Sequence, residues 1–73
     1  MKRITLHAAR HKAGLTQEQL EAITGVPQAV ISRLERRSDI RPLFDHVVAL
    51  ATALNVDPLR LKFGRSQPES VAS

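Results

Sequence analysis

The sequence predicts an all-α fold of five short helices in one small domain. Three observations carry this. Apolar residues recur at spacings of three and four, and no stretch has the two-residue alternation of a strand. Start and stop signals punctuate the chain: Thr16-Gln17-Glu18-Gln19 and Asp57-Pro58 open segments, and Gly14 and Gly25 close them. A length of 73 residues leaves room for one domain only.

The elements follow in order. A first helix spans 5–13, with Thr5 as its cap and Leu6, Ala9 and Ala13 on one side. Thr16 opens a second helix through a capping box, its hydroxyl taking the amide of Gln19 while the Gln19 side chain returns to the amide of Thr16. Leu20 and Ile23 are its buried side and Gly25 ends it. Val26 and Pro27 link to a third helix over 28–36, where proline suits the first turn and Ile31 and Leu34 face inward. Residues 37–42 form a polar loop. A fourth helix over about 43–54 carries the stripe Phe44, Val47, Leu50, Ala51 and Leu54. A short fifth helix covers 58–63 behind the Asp57 cap. The folded domain is therefore assigned to residues 1–63, and residues 64–73, small and polar, to a disordered tail.

Composition narrows the function. The formal charge is +4, from 11 Lys and Arg against 7 Asp and Glu. Residues 1–15 hold Lys2, Arg3, Arg10 and Lys12 with no acid, so the excess lies toward the N-terminal half. The chain has no cysteine, which excludes disulfides, thiolate zinc sites and thiol nucleophiles. It has no apolar run of membrane-spanning length and no secretory leader pattern at its N-terminus. Phe44 and Phe63 are its only aromatics, too few for stacking single-stranded bases. A basic cytoplasmic domain with duplex nucleic acid as its polyanion is the expectation. No enzyme is expected, because no catalytic groups pair at workable spacing. No cofactor and no metal are expected either. His7 and His11 have metal-ligand spacing on the first helix but lack a third ligand, and read as surface side chains.

The second and third helices, joined by Gly25-Val26-Pro27, make a helix-turn-helix. Gly25 supplies the positive φ of the turn. Val26 plugs the angle between the helices. Ile31 and Leu34 bury one side of the third helix, so Gln28, Ala29, Ser32 and Arg33 lie on the other. These are residue types that read base edges.

The sequence here resembles the lambda-repressor-like DNA-binding domains, the Cro and phage-repressor (xenobiotic-response-element) type. The matching blocks are Gly14-Leu15-Thr16-Gln17-Glu18-Gln19-Leu20, Gly25-Val26, Val30-Ile31-Ser32-Arg33-Leu34-Glu35 and Leu50-Ala51-Thr52-Ala53-Leu54-Asn55-Val56. The resemblance covers about residues 5–63. It implies a compact five-helix domain with its third helix in the major groove. It implies base reading by Gln28, Ala29, Ser32 and Arg33: glutamine pairs with adenine, alanine meets a thymine methyl, and arginine bridges guanine. It implies phosphate contacts from Gln17 at the start of the second helix. Arg36, Arg37 and Arg41, just beyond Arg33, are assigned to phosphates as well. Arg10 and Glu35 match an ion pair between the first and third helices, an architectural role. Three positions depart from the family pattern: Glu21 replaces an alanine, Arg37 a glycine, and Pro27 a capping Ser or Thr.

The expected function is sequence-specific binding of double-stranded DNA by a Cro-like transcriptional regulator, bacterial or phage-encoded. It would act as a homodimer on a palindromic operator, its two reading helices about 34 Å apart. Val56, Leu59, Leu61 and Phe63 divide between closing the core and forming a dimer patch. Two alternatives stay open: an antitoxin-type regulator that also binds a protein toxin, and a protein-binding module on the same scaffold.

Overall fold

Thr5 and Thr16 lie in extended backbone and each turns its hydroxyl onto an amide three residues ahead, so the first two helices start where their side chains can cap them. In the computed structural model, which describes residues 2–64, the chain runs β1 (Ile4–Thr5), α1 (Leu6–Lys12), α2 (Gln17–Thr24), α3 (Gln28–Arg36), α4 (Phe44–Leu54), a 3-10 turn (Pro58–Arg60) and β2 (Leu61–Lys62). The capping box at Thr16 is complete, at 3.0 and 2.9 Å.

Gly25 closes α2 at φ +78°, a left-handed conformation that reverses the chain into α3. Thr24 supports this corner: its hydroxyl donates to the Leu20 carbonyl at 2.7 Å and accepts the Val26 amide at 3.1 Å. Val26 is buried between the helices, as the turn requires. Pro27 occupies the cap position of α3 rather than its first turn and offers no side-chain bond. The core is Leu6, Ala9, Leu20, Val26, Ile31, Leu34, Leu50, Ala51, Leu54 and Leu61.

Four expectations need correction. The fifth helix over 58–63 is a single 3-10 turn, Pro58–Arg60, capped by Asp57 on the Leu59 amide at 2.9 Å. Its second half is β2, which pairs in parallel with β1 through Ile4 with Leu61 and Thr5 with Lys62. Two-residue strands are too short for any alternation to register. Ile23, assigned to the buried side of the second helix, is exposed, and among the residues of α2 only Leu20 is fully buried. Phe44 is 78% exposed: the first turn of α4 overhangs the core, and burial on that helix begins at Leu50.

Gly64 is buried, and its amide donates to the Leu34 carbonyl at 2.7 Å, one of the carbonyls left open at the end of α3. The rest of the expected tail, 65–73, lies outside the described residues. At the other end Lys2 is held by its carbonyl, which accepts from Arg60 Nε at 2.7 Å.

Candidate nucleic-acid interface

The outer face of α3 begins with its sequence. Ile31, Leu34 and Glu35 are buried and attach the helix to the fold. One turn apart on the other side stand Gln28 with Ser32, and Ala29 with Arg33. Ala29 and Arg33 are exposed, and Gln28 and Ser32 half-buried. None of the side chains of Gln28, Ser32 and Arg33 makes a hydrogen bond among the described residues. The fold therefore leaves the four residues assigned to base reading uncommitted.

The phosphate set divides. Arg41 is exposed and unpaired among the described residues. Arg36 is exposed, its Nε near the Ser32 carbonyl at 3.4 Å. Arg37 instead forks onto Asp39 through Nε at 3.1 Å and Nη2 at 2.8 Å. That pair holds the Asp39 carboxyl below its usual range and compensates the Arg37 charge locally. The residue lies in ordinary extended backbone at φ −112°, so the loop has no need of the glycine common there. Gln17 is half-buried, and its amide donates to Glu35 Oε1 at 3.1 Å. Its side chain thus joins α2 to α3.

Glu35 is the centre of a buried polar cluster. Arg10 Nε reaches its Oε2, and Arg10 Nη2 its Oε1 at 3.0 Å. Arg10 also donates through Nη1 to the Leu15 carbonyl at 2.8 Å, fixing the loop between α1 and α2. His7 Nδ1 is 3.1 Å from Oε1. Burial pushes the Glu35 carboxyl up, but hydrogen bonds from Arg10, His7 and Gln17 outweigh it and leave it below its ordinary value. The ion pair expected between Arg10 and Glu35 is present, and both residues are buried, at 8% and 6% exposure. Sequence reading missed His7 and Gln17 as members, because neither apolar spacing nor charge sign marks a side chain that turns inward to a carboxylate.

A depressed carboxyl has a pH consequence. Its contribution to stability is fully present above the unfolded value of 4.5 and is lost as pH falls through the lower folded value. The melting temperature is accordingly expected to hold from pH 7 to about 5 and to drop in more acid buffer. Asp39→Asn, which removes the exposed depressed carboxyl, should leave most of that drop in place. A drop abolished by Asp39→Asn would contradict the assignment to Glu35.

Residues 6–61 match the helix-turn-helix family. The match covers the turn at Gly25, the buried side of α3 and the Glu35 cluster. The chain belongs to the lambda-repressor-like helix-turn-helix family. Domains of this family bind DNA in transcription regulation. The chain is also 33% identical over 60 residues to an uncharacterized HTH-type transcriptional regulator of Haemophilus influenzae, across 78% of this chain. It spans 61% of that relative's length. Among the described residues no helix is long and apolar enough to cross a membrane.

Proposed function

We propose that the protein is a sequence-specific transcriptional regulator that places α3 in the major groove of double-stranded DNA. The observation that carries this reading is the division of α3: Ile31, Leu34 and Glu35 anchor it, while Gln28, Ala29, Ser32 and Arg33 make no side-chain commitment to the fold. Gln28 and Arg33 carry donor and acceptor patterns suited to adenine and guanine edges. Arg36 and Arg41 supply phosphate contacts, and Arg37 does so only by giving up Asp39. Gln17 acts in two ways. Its backbone amide lies in the first turn of α2, where phosphate is favoured, and its side chain braces Glu35.

One such domain reads a half-site, so the functional unit is a homodimer on a two-fold operator, and repression follows from occupying a promoter. Of the four apolar residues assigned between core and dimer, Leu61 is buried, and Val56 and Phe63 pack on the core. Leu59, 81% exposed, is the one left to meet a second copy.

Selection of bound duplexes from a random pool, with stoichiometry measured alongside, tests the reading. Arg33→Ala should cost about 1–3 kcal/mol on the selected site and relax preference at one or two bases. Gln17→Ala keeps the backbone amide but removes the brace to Glu35 that holds the first turn of α2, so it should weaken binding to all duplexes alike. The reverse pattern would mean that α3 is not the reading helix.

A further inference from the structure

His7 and His11 stand one turn apart on α1, with ring centroids 4.3 Å apart and planes tilted by 44°. Both residues are exposed, so core packing does not call for the pairing. What orders it is the buried end of His7. Its Nδ1 lies 3.1 Å from Glu35 Oε1 and 3.3 Å from Arg10 Nη2. These contacts require opposite protonation. A carboxylate needs a hydrogen on Nδ1, whereas a guanidinium needs a lone pair there. Arg10 Nη2 already donates to Glu35 Oε1 at 3.0 Å, and Glu35 is an anion, so the shorter contact keeps the hydrogen. Neutral His7 then carries Nδ1–H toward Glu35 and a free lone pair on Nε2.

That is the state in which a histidine ligates a metal: one ring N–H on a carboxylate, the other nitrogen open. The ring spacing agrees. Ions of the zinc and nickel class bind imidazole nitrogen at about 2.0–2.1 Å, and two rings on one ion have centroids about 4.5 Å apart at the right angle of octahedral coordination and about 5 Å apart at the tetrahedral angle of zinc. We propose that His7 and His11 form a two-histidine site for a divalent transition metal, with His7 ligating through Nε2 and Glu35 orienting it from behind. Among the described residues no group of three His, Cys, Asp or Glu side chains gathers around one ion. The remaining coordination positions are therefore taken by water, and the site is open. Arg10 beside His7 opposes a cation, and the Glu35 carboxylate offsets it.

Titrating the tag-free full chain with zinc chloride and with nickel chloride, by calorimetry in a non-chelating buffer, tests the site. One ion per chain is expected, released by a chelator. His11→Ala, which breaks no hydrogen bond among the described residues, and His7→Ala should each weaken binding about tenfold or more, and His46→Ala should not change it. Nitrogen NMR of the metal-free chain should find His7 protonated at Nδ1, with its Nε2 signal and one ring nitrogen of His11 moving on addition of zinc. Affinity unchanged in His11→Ala, or a metal-free His7 that carries its hydrogen on Nε2, would overturn the proposal.

Discussion

Glu35→Ala is expected to destabilise the domain by about 3–5 kcal/mol, because it strands a buried arginine. Arg10 spends Nε and Nη2 on this carboxylate, and Gln17 and His7 turn toward the same Oε1. Removing the carboxylate leaves a guanidinium with little water, and takes the acceptor from all four of these contacts. A domain of this size has a total stability of only several kcal/mol, so the variant should be largely unfolded at room temperature. Chemical denaturation followed by circular dichroism would measure it. The double variant Arg10→Met with Glu35→Leu should recover much of the loss, since apolar side chains of similar volume need no partners. A cost below about 1 kcal/mol for Glu35→Ala would mean that water reaches the cluster freely.

Gly64→Ala is the second large effect, expected at about 2–5 kcal/mol from backbone strain and overpacking together. The residue has φ +95°, where a side chain is strained. A Cβ there would lie 2.7 Å from the Ser38 Cα and 2.9 Å from its nitrogen, atoms of the backbone that cannot rotate aside. Relief requires the chain to move, which lengthens the 2.7 Å bond from the Gly64 amide to Leu34 at the end of α3 and pulls on β2. Ser38→Gly should not rescue the variant, because Cα and N remain in the way. Denaturant midpoints of the single and double variants would decide, and a rescue by Ser38→Gly would refute this account.

Much of the molecule was legible because its signals are local. The capping box at Thr16, the left-handed Gly25, the Asp57 cap and the inward pair Ile31 and Leu34 each depend on side chains within four residues of one another. The outward set on α3 follows from the same periodicity. The Arg10 and Glu35 pair was accessible through the resemblance alone, since 25 residues separate the two. Phe44 and Ile23 defeated the apolar pattern, because a helical stripe says which side is apolar and not how far along it the neighbours extend.

The order of the helices, where they begin and stop, and which side of α3 is free were settled by the chain itself, since capping and helical period act over one or two turns. Contacts between distant residues were settled only by the packed fold. These are the pairing of Ile4 with Leu61, the seating of Gly64 on Leu34, and the gathering of His7, Arg10 and Gln17 around Glu35. Such groups have no spacing rule, because what brings them together is the burial of Leu6, Leu20, Ile31 and Leu50 in one core. The polar side chains carried in with those helices then take whichever partners remain within reach.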